Sequence, residues 1–277
     1  MHKRNSPMID SKIIIENLKK IRENSPLVHN ITNYVVMNNT ANALLSIGAS
    51  PVMAHAKEEV EDMVSIASSL VINMGTLSSK WVESMLIAGD KANSMGKPIV
   101  FDPVGVGASA YRTETAINII DKCSPSVIRG NASEIIALNS QAKTKTKGVD
   151  STDSSDSALE SAKSLALNTS SVVVISGETD YITDGKKVVA IENGSSMMPK
   201  VTGMGCTSTA IVGAFLGVST NVLEAASSAM AVMGISGEIA SELSKGPGSL
   251  QMNFLDTIYN LEGSDIEKRL KIRNEGF

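Results

Sequence analysis

The folds open to this chain are narrowed first by a repeated unit, a short apolar run ending in polar and glycine residues and followed by a longer segment of helical period. Leu70-Val71-Ile72-Asn73 precedes a glycine turn and a helix from Ser78 to about Ser94. Pro98-Ile99-Val100-Phe101 then runs into Asp102-Pro103-Val104-Gly105-Val106-Gly107-Ala108. Strand, helix, strand at this spacing means right-handed crossovers and a parallel sheet. The unit recurs with a strand and loop over 48–55 and a helix over 58–69, and again at Ser126 to Glu134. A helix over 158–167 leads to Val172-Val173-Val174-Ile175, apolar throughout and so buried on both faces. Tyr181 to Ile191 instead alternates around Asp184-Gly185, which predicts a hairpin at the sheet edge.

At 277 residues with no linker-like stretch, the chain reads as one domain spanning 1–277. No apolar run reaches the length of a membrane span, and the basic N-terminus continues into an amphipathic helix over 10–24 rather than a signal sequence, so a cytoplasmic protein with no membrane partner is expected. Cys123 and Cys206 lack CxxC partners, which points to neither a disulfide nor a zinc site. A net charge of -4 with scattered basic residues and 3% aromatics excludes a nucleic-acid footprint. Small molecules are the expected ligands.

Ligands of open α/β sheets bind beyond the carboxyl ends of strands. His29, Asn30, Thr32 and Asn33 cluster at one such end, where Thr32 or Asn33 is also able to cap the next helix. Asp102 falls at another, a position favouring ligand or metal contact. Asn131 and Glu134 form N-x-x-E after Arg129. As a capping box the pair contributes about 1 kcal/mol; as a functional group it holds hydrated magnesium, with Arg129 on a phosphate. In isolation the cap is favoured. Residues 139–156 are polar and read as a solvated surface segment.

Val201-Thr202-Gly203-Met204-Gly205-Cys206-Thr207-Ser208-Thr209-Ala210 reads as a loop delivering a helix N-terminus. Gly203 and Gly205 are expected to take positive φ, and Thr207, Ser208 and Thr209 to cap a helix propagating from Ala210. Free N–H groups there suit a phosphoryl group, and their field favours a Cys206 thiolate.

Six blocks in order, HNITNYV at 29–35, ASPVMAHA at 49–56, DPVGVGA at 102–108, RGNASEI at 129–135, SGETDYITDG at 176–185 and VTGMGC at 201–206, resemble the hydroxyethylthiazole kinases of the ribokinase-like superfamily. The family's usual last block is VTGTGC, so Met204 replaces a threonine. The resemblance implies an α/β, ribokinase-like fold, its central, mostly parallel sheet flanked by helices on both faces. It implies that Met53 and Gly203 contact the thiazole alcohol, with Asn30 added from the strand-end cluster, and that Arg129 and Ser176 contact ATP alongside Gly205. Asn131 and Glu134, with Asp102, then associate with Mg2+. Cys206 stands where most ribokinase-like kinases have an aspartate base. Homotrimers with sites between subunits are implied as well. Two other functions fit less of the pattern: a nucleotide-hydrate dehydratase, which expects aspartate at 206, and a thiazole-binding protein without turnover.

Overall fold

The computed structural model describes residues 8–144 and 154–276. Nine strands form one sheet: β1 (Leu27–Ile31), β2 (Ser50–Val52), β3 (Ser69–Asn73), β4 (Ile99–Asp102), β5 (Val127–Asn131), β6 (Val172–Ser176), β7 (Asp180–Thr183), β8 (Val188–Ile191) and β9 (Ile272–Glu275). Their order is β2-β1-β3-β4-β5-β6-β7-β8-β9. Pairing is parallel from β2 to β6 and antiparallel from there to β9. The Asp184-Gly185 hairpin forms as expected, with Gly185 at φ 92°. The sheet's outer edge, however, is β9. Its single apolar residue, Ile272, followed by Arg273, Asn274 and Glu275, makes no strand signal of its own.

Alternation along the strands divides the core in two. Val28, Val71, Val100, Val127, Val172 and Val174 face α1 (Ser11–Asn24), α2 (Met37–Ile47), α8 (Met204–Leu216), α9 (Val222–Glu242), α10 (Pro247–Asn260) and α11 (Gly263–Arg269). Leu70, Ile72, Ile99, Phe101, Ile128, Val173 and Ile175 face α3 (Val60–Ile66), α4 (Ser79–Ser94), α5 (Ala110–Cys123), α6 (Ala132–Thr144) and α7 (Ser154–Thr169). A strand whose successive side chains both find helices has no polar face, which is why Val172–Ile175 is apolar throughout. Helix α9 has the length and apolarity to cross a bilayer, yet 78% of its apolar window is buried inside the fold.

Several expectations are corrected. Helix α3 ends at Ile66 and Ser69 already belongs to β3. Helices α6 and α7 enter the segment over 139–156 from both sides; residues 145–153 lie outside the described residues. Helix α5 packs so tightly on α4 that a Cβ at Gly89 would lie 2.3 Å from Cys123 Sγ. Burial pushes the Cys123 thiol up to about 12, so it stays protonated and serves packing.

Candidate active site

Parallel pairing brings the strand ends to one edge in register. Asn73 of β3 stands beside Asp102 of β4, and Asn131 of β5 beside Ser176 of β6. Asn73 Nδ2 donates to Asp102 Oδ2 (2.9 Å), which also accepts from Thr209 Oγ1 in α8 (2.7 Å). Asn33 Nδ2 donates to Asn73 Oδ1 (2.8 Å) and lies 3.4 Å from Cys206 Sγ. One hydrogen-bonded chain therefore joins the loop after β1 to the ends of β3 and β4 and to the start of α8. Arg112 clamps the adjoining loops from below, donating to the carbonyls of Met74, Gly75 and Val104.

Burial sets the electrostatics. Asp102 is pushed up to about 6 by burial, against the pull of Arg129 and the hydrogen bonds from Thr209 and Asn73. Cys206 is raised from its ordinary value, first by burial and then by the Asp102 carboxylate, with Asn73, Asn33 and Arg129 acting the other way. The expectation of a thiolate favoured by the helix is thus reversed. Burial and a neighbouring carboxylate both disfavour the anion.

The glycine loop also differs in detail. Gly203 is the N-cap of α8 at φ 80°, with no space for a side chain, since a Cβ there would lie 2.5 Å from Val36 Cγ1. Gly205 is already helical, and only Gly203 takes positive φ. The role of Gly205 is close approach: a Cβ would stand 3.3 Å from Arg129 Nη1. Thr207, Ser208 and Thr209 do not cap, because α8 begins at Met204 and all three are buried in its first turns. Their hydroxyls are free to tie the helix to the sheet and to α9, Ser208 Oγ donating to Met230 Sδ at 3.2 Å.

Arg129 is 7% exposed and its Nε, buried, has no partner among the described residues. A buried guanidinium nitrogen without an acceptor is costly. Arg129 lines a cleft of about 330 Å3 together with Ser176, Gly205 and Asp180. Asp180 accepts from Gly177 N (3.0 Å) and is pushed up to about 6, chiefly by burial.

Asn131 and Glu134 form the capping box. Glu134 N donates to Asn131 Oδ1 (3.0 Å) and Asn131 N to Glu134 Oε2 (2.9 Å). The second carboxylate oxygen, Oε1, accepts from Gly105 N (2.8 Å), so Glu134 also fastens the loop after β4. Among the described residues, no group of three or more His, Cys, Asp or Glu side chains converges as a metal cage. Asp102 and Glu134 do suit magnesium in its usual manner, one or two carboxylates beside a substrate's phosphates, with water completing the shell.

The β1 cluster is buried throughout. Asn30 is fully buried, its Nδ2 donating back to Val28 O (2.9 Å) and its Oδ1 without a partner. His29 Nε2–H donates to Ala54 O (2.8 Å), and burial lowers its pKa, which keeps the ring neutral. Neither Thr32 nor Asn33 caps α2, whose N-cap is Val36. Met53 stands half-buried after β2. Asn73, Arg112 and Asp180 join the site only with the structure, and Thr209 was read from the sequence as a cap. Of these, Asn73 had a signal: it ends β3 as Asp102 ends β4.

Strand ends converging under a helix start, beside a cleft lined by a buried arginine, place the site where open α/β sheets bind small ligands. A Staphylococcus aureus pyridoxal kinase bound to AMP-PCP and pyridoxal shares the fold at 16% identity, TM-score 0.64, covering 91% of this chain and 99% of that one. The Hydroxyethylthiazole kinase family model matches residues 18–264, and the chain belongs to that family. It is 55% identical to the hydroxyethylthiazole kinase of Syntrophus aciditrophicus over 255 residues, 92% of this chain and 94% of the relative. The solved hydroxyethylthiazole kinase of Pyrococcus horikoshii OT3 is 43% identical with a TM-score of 0.89, covering 95% of this chain and 99% of that one.

Proposed function

We propose that the chain transfers the γ-phosphoryl group of ATP to the alcohol of 4-methyl-5-(2-hydroxyethyl)thiazole, a thiamine-salvage reaction carried out in the cytoplasm by one domain spanning 1–277. The observation that carries this reading is the partnerless Nε of Arg129, held beside Gly205 at the start of α8. A buried guanidinium and first-turn N–H groups aimed at one place make an anion site.

Phosphoryl transfer asks little covalent help of a protein, so positioning and charge neutralisation carry most of the rate. In this reading Arg129, Ser176 and Gly205 bind ATP, and Met53, Gly203 and Asn30 contact the thiazole alcohol. Asp102, Asn131 and Glu134 associate with magnesium. When bound, that ion neutralises charge on the transferring phosphates. Cys206 receives the alcohol proton. Replacement of the family threonine by Met204 removes a hydroxyl from the loop but leaves its backbone in place. Burial of the face that carries the exposed Tyr34 and Val35 against a neighbouring subunit in a homotrimer belongs to the same reading.

ADP release measured with hydroxyethylthiazole and with other small alcohols tests the reading. Magnesium-dependent turnover confined to the thiazole is expected. Thiazole binding with no ADP above background at any magnesium concentration refutes it.

A further inference from the structure

Arg112 lies in the first turn of α5, its backbone N–H donating to the N-cap hydroxyl of Ser109 (3.2 Å). A cation there opposes the helix dipole, whose positive end is the N-terminus, so helix stability does not explain the residue. Its guanidinium is spent on carbonyls of two other segments. Nη1 donates to Met74 O (2.6 Å) and Val104 O (2.7 Å), and Nη2 donates to Gly75 O (2.6 Å). These are short, charge-assisted bonds from one planar fork.

Both segments carry residues of the site. Met74 and Gly75 directly follow Asn73, whose Oδ1 accepts from Gly75 N (3.0 Å) and Asn33 Nδ2 while its Nδ2 donates to Asp102. Gly75 has no room for a side chain, since a Cβ would lie 2.6 Å from Asn33 Nδ2. Val104 stands two residues after Asp102. The peptide unit joining Val104 to Gly105 is held from both directions, its oxygen by Arg112 and its N–H by Glu134 Oε1 (2.8 Å). In a trans peptide those two groups point opposite ways, so a cation and a carboxylate are lined up along one peptide dipole. Gly105, at φ 72°, brings this unit against the guanidinium, where a Cβ would lie 3.4 Å from Arg112 Cδ.

We infer that Arg112 is a positioning residue for phosphoryl transfer: it ties the loops after β3 and β4 together and so sets the side chains of Asn73, Asp102 and Glu134 relative to one another. The inference rests on the kinase reading and deepens it. Arg112 acts through those residues. Lysine at 112 keeps the charge but places it on a flexible stem as a point donor, without the rigid fork that spans both loops. Asp102 and Glu134 then lose their fixed relation, and a misplacement of about 1 Å costs roughly 10²-fold in rate.

The test is Arg112→Lys, assayed with hydroxyethylthiazole, ATP and magnesium at a temperature where urea unfolding shows the variant fully folded. Hydrogen exchange of segments 74–77 and 104–108 is followed by mass spectrometry in the same samples, with β6 as the internal control. A kcat lower by about a hundredfold is expected, with little change in KM, faster exchange in both segments and unchanged protection in β6. A folded variant with parental kcat overturns the inference and leaves the kinase reading intact, since Arg112 then only fastens α5. A fall in kcat without faster exchange at 104–108 overturns it too, because the loops are then not what Arg112 holds. Absence of turnover by the parent overturns the kinase reading, and exchange then decides the inference: equal rates at 104–108 in parent and variant overturn it. Should Arg112→Lys not fold, Gly105→Ala, which strains the same peptide unit at positive φ and crowds the guanidinium, takes its place with the same outcomes.

Discussion

Thr209 Oγ1 donates to Asp102 Oδ2 at 2.7 Å, fastening the second turn of α8 to the end of β4. The bond lowers the pKa of a carboxylate that burial raises. Thr209→Val keeps the shape and removes the donor, so Asp102 should titrate higher and the protein should lose about 1.5–3 kcal/mol, the range for hydrogen bonds to charged groups. Thr209→Ser retains the hydroxyl and should recover most of that loss. Urea midpoints of the two variants at pH 7.5 check the prediction.

Asp102 and Asp180 both titrate at about 6 in the fold, above the ordinary carboxylate value. A carboxyl whose folded pKa is raised adds stability that is fully present below its unfolded pKa and is lost as pH rises through the folded one. These two groups should therefore lower stability between about pH 4 and pH 6, the window between the unfolded and folded values. Asp102→Asn, whose amide keeps one acceptor oxygen, should flatten part of that slope. Urea unfolding at pH 4, 5, 6 and 7 reads it directly, and an unchanged slope in the variant removes Asp102 as its source.

Gly205→Ala should separate stability from function. Gly205 sits in a helix at ordinary helical φ, where alanine is intrinsically better by about 1 kcal/mol. Its new Cβ would stand 3.3 Å from Arg129 Nη1 and force the guanidinium aside. The variant should melt no lower than the parent while its KM for ATP rises about tenfold, the equivalent of 1.4 kcal/mol. An unchanged KM would show that Arg129 does not hold the nucleotide.

Glu134→Gln tests the carboxylate that serves two backbone donors. Glutamine has one acceptor oxygen, so either Gly105 N or Asn131 N is left facing an amide nitrogen. A stability loss of about 1–2 kcal/mol follows from the hydrogen bond alone. Removal of the charge should in addition depress kcat and move the magnesium titration to higher concentration. A variant that is less stable but has the parental magnesium curve would confine Glu134 to its cap and its loop.

The strand–helix rhythm was readable because a doubly covered parallel sheet makes its strands uniformly apolar and its strand ends polar, as at Val172–Ser176 and Ile99–Asp102. The antiparallel edge was half readable: Asp184-Gly185 announces a hairpin, whereas Ile272-Arg273-Asn274-Glu275 becomes a strand only because β8 offers it a partner. At the site, residue types marked Asp102, Arg129 and the glycine loop, but their partners were hidden. Thr209 looked like a cap until α8 was seen to begin at Met204. Local sequence reports propensity, whereas the role of Thr209 depends on Asp102, 107 positions away.

Cys206 is where the structure most changes the chemistry expected. Burial and Asp102 raise its thiol pKa, so at neutral pH the resting group is a thiol rather than a thiolate. If Cys206 receives the alcohol proton, only the small thiolate fraction works, and kcat should climb with pH up to the thiol's pKa, which lies above the reference of about 8.5. Cys206→Ala should then lose roughly 10²–10⁴-fold in kcat with little change in KM, and should lose the pH slope as well. Cys206→Asp places a group of lower pKa at the same point, although the neighbouring Asp102 carboxylate raises it in turn. Its kcat at pH 7 should equal or exceed the parent's, and its profile should be level above the carboxylate's pKa. A cysteine that only packs the loop predicts the opposite order, with alanine mild and aspartate damaging. An alanine variant that keeps both the parental kcat and the parental pH slope would rule out Cys206 as the base and leave positioning and charge neutralisation to carry the reaction.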